Sequence, residues 1–388
     1  MKSPDQGKSK FKLTDVWAIT IAHHIHDIYT SFLAPLKVQI SEAFGLNNTL
    51  FGTLAVAQRL PTLLNPFIGI LAERMRLRYL MIAAPTITAI SMSLIGNAPD
   101  YYSLLALVFI SGISSMLFHV PTPVMMREVS GDRVGKGMSY YMMGGEFART
   151  LGPIVVLAAL DIWGFNGLFR LIPAGVLSSL ILYVRFHKTD LRKKFQKLPD
   201  EGSHGNVLMK HFNLLGLISL TTLFQGAMKS AFTYYLVGYL HEVGWGSWLS
   251  GIALSTIYLS GTAGVFLTGR ISDIVGKRSV LLTVSIISPV LMWVFIFSQG
   301  FAAFPLLVLI GFFLLAPTPV FLSMVNSIES KHITFLNGVY MTSNFLMSAL
   351  ATMLAGLAFD YLGYIPSFKI AALVALLAVP AVLLLPRK

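Results

Sequence analysis

The 388-residue chain contains no cysteine, which rules out a disulfide framework and a thiolate metal site and leaves the redox compartment unread. Charge is scarce as well, with only 12% of residues being Asp, Glu, Lys or Arg. A soluble domain usually carries about twice that share. No phosphate-cradling loop of the GxxxxGK[ST] type occurs, and no polar stretch is long enough to house a nucleotide-binding domain. ATP-driven work and enzymatic catalysis are therefore not expected, and no cofactor is called for.

What is abundant is apolar sequence: 55% of residues are hydrophobic, and the mean hydropathy is +0.71. Twelve apolar runs, the first from about Val16 to Leu36, follow one another along the chain. Each is long enough to cross a bilayer at about 1.5 Å per residue. The spacing predicts an all-α polytopic membrane protein of twelve transmembrane helices. The second span is expected over 49–71, the fourth over 102–126, the seventh over 211–239 and the tenth over 302–324. The first fourteen residues are polar and basic, so the first run is expected to persist as a helix and not to be cleaved as a signal.

The basic excess, formally +12, follows this topology. Twelve crossings leave only Lys37, Arg170 and Lys369 on the far side from the termini and place Arg59, Arg149 and Lys229 inside spans. The other 23 of the 29 Lys and Arg fall on one side. That bias is the positive-inside pattern. It predicts cytoplasmic termini and attributes the basic pI to topology, not to a nucleic acid or other polyanionic partner; the expected location is within a lipid bilayer, the bacterial inner (plasma) membrane.

The chain divides in two. The longest polar interruption, HKTDLRKKFQKLPDEGSHGNVLMK, separates a six-helix bundle over 1–186 from a second over 211–388, with 187–210 as a cytoplasmic linker. Two internal echoes support duplication. Pro121-Thr122-Pro123-Val124 in the fourth span recurs as Pro317-Thr318-Pro319-Val320 in the tenth, and the paired prolines are expected to kink both helices. Gly69-Ile70-Leu71-Ala72-Glu73-Arg74 after the second span is echoed by Gly269-Arg270-Ile271-Ser272-Asp273 after the eighth.

The segment Gly269-Arg270-Ile271-Ser272-Asp273-Ile274-Val275-Gly276-Lys277-Arg278 resembles the cytoplasmic signature of the major facilitator superfamily, and the resemblance covers the whole chain. The first copy departs from it, with Glu73 where Asp is usual and Arg76 at the second glycine position. The blocks HDIYTSFLAPL, LPTLLNPFIGILAERMRLRYL and LFHVPTPVMMREVSGDRVGKGMSYYMMGGEFARTLGP are similar to the fosmidomycin-resistance branch of drug exporters. The resemblance implies a monomeric carrier with two pseudo-symmetric bundles. It assigns conformational gating to Gly69, Glu73, Arg74, Gly269, Asp273, Gly276, Lys277 and Arg278. It also puts the third, sixth, ninth and twelfth spans on the lipid-facing outside.

Independently of that resemblance, five charged residues lie within spans: Asp27, Glu146, Arg59, Arg149 and Lys229. Each costs about 2.5–3.5 kcal/mol at a helix centre unless paired or hydrated, so they are expected to face protein or water. In the stretch AHHIHDIYTS, helical periodicity puts His23, His26, Asp27 and Thr30 on one stripe, with Ile21, Ile25, Ile28 and Phe32 opposite. The stripe is expected to line an aqueous cavity. Asp27 is the first candidate for a proton carrier, with Glu146, His23 and His26 beside it. The bland alternative is that Asp27 forms a fixed pair with Arg59 or Lys229 and that Glu146 only neutralises Arg149.

Arg59, His119, Arg149, Gln225, Lys229, Tyr258, Tyr340 and Asn344 are the substrate-binding candidates, because guanidinium and ammonium groups grip an anionic phosphonate or carboxylate. His23, His26 and Asp27 share a face that a metal ion could use, but no metal is expected without cysteine or a second acidic cluster. His24 is read as a packing or hydrogen-bonding residue, and Gly145, Gly152 and Pro153 resemble the fifth-helix antiporter signature. The functional expectation is a proton-coupled efflux antiporter of an anionic or amphiphilic small molecule. The alternatives are proton-coupled uptake of an organic anion and a non-transporting receptor.

Overall fold

The computed structural model describes residues 11–65, 78–131, 134–188, 204–298, 300–326, 328 and 333–386. Among these residues there is no β-strand, and nine helices are long and apolar enough to cross a membrane. The first half contains α1 (Leu13–Thr30), α2 (Lys37–Phe44), α3 (Asn48–Arg59), α4 (Arg78–Ser93), α5 (Tyr101–His119), α6 (Thr122–Ser130), α7 (Val134–Trp163) and α8 (Ile172–Phe186). The second contains α9 (His204–Ser230), α10 (Leu236–Glu242), α11 (Ser247–Val275), α12 (Lys277–Ile296), α13 (Ala303–Leu315), α14 (Pro317–Asn326), α15 (Ile333–Leu362), α16 (Tyr364–Leu376) and α17 (Ala378–Leu383).

The duplicated proline motif acts as expected in both halves. Proline has no N–H to donate and its ring crowds the preceding turn. The fourth span accordingly breaks between His119 and Thr122, and the tenth between Leu315 and Pro317. Two boundaries differ from the sequence reading. The second span does not continue as one α-helix, because Pro61 turns the chain into a 3₁₀ segment at Leu60–Leu64. The seventh span begins at His204, inside the expected linker, and runs through a π-helical turn at Ala231–Tyr235 into α10. A polar first turn is no obstacle to a helix that starts outside the apolar core.

Within each half, α1 packs on α7, α4 and α8, while α9 packs on α15 and α16. The halves meet through α3 against α15 and α7 against α11, that is, second span on eleventh and fifth on eighth. The sixth span shows what its outer position means: Leu177, Leu180 and Val184 of α8 are exposed apolar side chains that would be unfavourable in water and suit lipid. The ninth span is not purely outer, since its Ser285 and Ser288 are buried toward the interior of the second bundle.

Candidate functional site

Glycine decides how closely α1 and α7 approach. A Cβ added at Gly145 would stand 2.7 Å from His23 Cε1 and 3.2 Å from Asp27 Oδ2, and one at Gly144 would stand 2.7 Å from the Thr20 carbonyl. A Cβ on Gly152 would collide with Ser31. Small residues thus let two spans touch backbone to side chain, and the polar stripe of α1 lies against this contact.

The stripe faces protein, which corrects the expectation that it lines an aqueous cavity. His23, His26 and Asp27 are all buried. Asp27 meets two imidazoles, with Oδ2 at 3.2 Å from His23 Nε2 and Oδ1 at 3.2 Å from His119 Nε2. It does not pair with Arg59 or Lys229, as the bland reading had it. His23 Nδ1 lies 2.8 Å from the Tyr141 carbonyl, and His119 Nδ1 lies 3.1 Å from the Tyr141 hydroxyl. One residue of the fifth span therefore orients both rings. His119 is 36% exposed and is the side from which the cluster can be reached.

His119 was expected with the substrate residues; the structure places it with the acid. His26 stacks on Phe118 with centroids 4.4 Å apart, and neither of its ring nitrogens has a hydrogen-bond partner. His24 Nδ1 donates to the Gly144 carbonyl, 3.0 Å away, in the packing or hydrogen-bonding role expected of it. His23, Asp27 and His119 hold one ligand atom each within 4.8 Å of one another, a set that differs from the His23, His26 and Asp27 face considered from the sequence.

The cations gather elsewhere. Arg149 Nη1 holds Glu146 Oε1 at 2.8 Å, yet the arginine side chain is 45% exposed. Arg59 lies 5.3 Å over the ring of Tyr234. Arg59, Arg149 and Glu146 are all within electrostatic range of Lys229 and of the Tyr258 hydroxyl. Three cations and one carboxylate thus share this space, and among the described residues neither Arg59 nor Lys229 forms an ion pair.

Lys229 also borders a pocket inside the second bundle, where Gln225, Tyr340, Asn344 and Ser285 join it. Gln225 Nε2 donates to Ser285 Oγ at 2.8 Å. Gln225, Lys229, Tyr340 and Asn344, four of the substrate-binding candidates of the sequence, line this one pocket. Ser285, Ser288, Tyr141 and Tyr234 were not among the sequence candidates, because what distinguishes them is what they meet on other helices or in the pocket.

Of the gating residues, Gly69, Glu73 and Arg74 lie outside the described residues. Gly269 and Asp273 belong to the last turns of α11, without described side chains. Gly276 has φ 91°, a left-handed position that a side chain would strain, and it separates α11 from α12. Lys277 Nζ donates to the Ser323 carbonyl at 3.1 Å, tying the ninth span to the tenth, and the neighbouring Arg278 opens the ninth span half-buried.

Helices of spanning length that enclose charged and hydrogen-bonding side chains at that depth have the architecture of a membrane carrier. The chain matches the Major Facilitator Superfamily over residues 19–261 and 218–388, and it belongs to that family. It is therefore an integral membrane transporter of a small-molecule substrate, with the twelve-helix fold that the family implies.

The fosmidomycin resistance protein of Escherichia coli (strain K12) is 22% identical over 95% of this chain and 91% of its own length. The uncharacterized MFS-type transporter YfnC of Bacillus subtilis (strain 168) is 22% identical over 94% of this chain and 91% of its own. Among solved structures, a bacterial homologue of the human lysosomal transporter Spinster, inward-facing and occupied, superposes with a TM-score of 0.79 at 13% identity, covering 97% of each chain. These likenesses to solved structures establish the fold alone.

Proposed function

We propose that this carrier is a proton-coupled efflux antiporter of an anionic small molecule, monomeric in the bacterial inner membrane with both termini cytoplasmic, and driven by the proton gradient without a cofactor. The observation that carries the anion is the excess of cations around Lys229: Arg59, Arg149 and Lys229 share Glu146, which Arg149 already engages, while Asp27, within reach of Arg149, is held by two imidazoles. Uncompensated positive charge at span depth is costly and is relieved by an anion that reaches it. Arg59 and Arg149 offer planar forks suited to phosphonate or carboxylate oxygens, and Lys229 adds a point charge. Gln225, Tyr340 and Asn344 supply neutral hydrogen bonds for the remainder of the substrate. Efflux as the direction, and a phosphonate drug as cargo, are suggested by the name of the Escherichia coli relative.

The proton is assigned to the Asp27 cluster. A carbonyl oxygen only accepts, so the His23 nitrogen 2.8 Å from the Tyr141 carbonyl carries a hydrogen. The other nitrogen then faces Asp27 Oδ2 at 3.2 Å, and that contact is favourable only with a second proton between them. The described arrangement accordingly suits a loaded site, reached by way of His119. Glu146 is a structural partner of Arg149 in this scheme, and His26, stacked on Phe118 with neither ring nitrogen partnered, stands outside the relay.

The test is transport in liposomes reconstituted with purified protein, under an imposed pH gradient and with fosmidomycin as the probe. Exchange of the phosphonate against protons supports the reading. Movement of both in the same direction would make the protein a symporter, and flux indifferent to the gradient in the wild type would sink proton coupling.

A further inference from the structure

The apolar core is joined at one end of the molecule and divided at the other. Toward the end far from the termini, one cluster of buried side chains runs through both halves, including Phe51, Leu54, Tyr235 and Phe359. Toward the termini, one cluster is confined to the first half and another to the second. Hydrogen bonds follow the same division. Every one between the halves whose two partners are both described lies at the far end.

At the centre of that far-end contact is Asp360, near the end of α15. Its Oδ1 accepts from the backbone N–H of Asn48 at 2.6 Å and its Oδ2 from that of Thr49 at 2.7 Å. These are the first two residues of α3, whose own cap, Asn47, accepts only from Leu50 N at 2.9 Å. The opening turn of a helix leaves several N–H groups without partners and carries the positive end of the helix dipole. Here one donor is satisfied locally and two are satisfied by a carboxylate of the other half, 312 and 311 residues away.

Tyr235 reinforces the contact by donating to the carbonyls of Asn48 and Thr352. It fits only because positions 52 and 356 are glycine, where a Cβ would stand 2.5 and 2.7 Å from its hydroxyl. Lys37 sits alongside, 3.1 Å from the Tyr364 hydroxyl and within 6.0 Å of the rings of Phe51, Tyr235 and Tyr364.

We propose that Asp360 is the far-end latch of the transport cycle: its carboxylate caps the second span across the interface and holds the two halves closed on that side until the cap is released. Opening would expose two helix N–H groups and a carboxylate that are now paired with one another. The proposal concerns closure and is independent of the substrate and coupling ion assigned above.

The native absence of cysteine makes the test direct. Ser230, buried at 4% exposure and bonded to Thr352, lies one turn below Tyr235. A Ser230→Cys variant in membranes is treated with an impermeant maleimide from one face at a time, without substrate or gradient. Adding Asp360→Asn is expected to raise labelling from the far face about tenfold, the loss that goes with charge-assisted hydrogen bonds. Tyr235→Phe, which removes only a neutral hydroxyl from the same interface, is expected to raise it about threefold. Should Asp360→Asn fail to give a monodisperse protein, Asp360→Ser takes its place. Labelling unchanged by loss of the carboxylate, no larger than with Tyr235→Phe, or raised equally from both faces overturns the latch. Because no transport is measured, failure of the antiport reading leaves this result intact, and the converse holds.

Discussion

The two halves carry the same broken helix but use it for different chemistry. In the first, the residue two places before the Pro-Thr-Pro-Val motif is His119, which reaches Asp27. In the second, the corresponding place holds Leu315, buried in apolar surroundings. The first bundle thus concentrates titratable groups, with His23, Asp27 and His119 oriented by Tyr141. The second concentrates neutral donors and acceptors around Lys229. The same motif thus sits in two different settings, beside a carboxylate held between two imidazoles in the first half and beside neutral donors and acceptors facing Lys229 in the second.

The sharpest way to break this division is Asp27→Asn. Gradient-driven flux is expected to fall at least tenfold, within the range of typical coupling energies. Ligand-induced thermal stabilisation, which reports on the grip proposed for Arg59, Arg149 and Lys229, should persist. Loss of both readouts together would show that the acid cluster and that grip are not separable.

Next in size is Gly145→Ala, which pushes a methyl group against His23 and Asp27. Overpacking of this kind costs about 1–3 kcal/mol, so a lowered melting temperature should accompany the lost coupling. Unchanged melting would mean that α1 and α7 can move apart at little cost.

Lys229→Gln and Arg59→Gln are each expected to weaken anion binding about tenfold, as loss of a charged hydrogen-bond partner does. Gln225→Ala should weaken it only a few-fold, since its bond to Ser285 is neutral. Titration calorimetry with a phosphonate would rank them, and an equal loss at Gln225 would argue against charge as the main recognition element.

The smallest effect is expected at the far end, with pH. Burial beside the aromatic rings lowers the Lys37 amine from 10.5 to about 8, against the opposing pull of Asp360 and Glu242. The closed arrangement thus binds fewer protons than one in which Lys37 is hydrated. Closure is therefore favoured as pH on that side rises through roughly 8 to 10.5, and disfavoured below that window. Far-face labelling of Ser230→Cys, corrected for thiol ionisation, should fall across this range in the wild type and stay flat in Lys37→Gln.

Hydropathy, the helical period and the repeated Pro-Thr-Pro-Val motif were enough to determine an all-helical membrane protein and the position of the breaks at both proline motifs. These properties are local: an apolar run must close its own backbone hydrogen bonds in lipid, and proline interrupts them wherever it falls. The five charged residues within spans were legible for the same reason, since each stands out against an apolar run. Partnership was decided only by tertiary structure. Asp27 finds His119 and the Tyr141-oriented His23 because glycines on α7 admit α1. Asp360 finds α3 because the halves close on each other. Such pairings depend on helix approach and rotation, which side chains far apart in the chain determine jointly, and periodicity along a single helix carries no information about them.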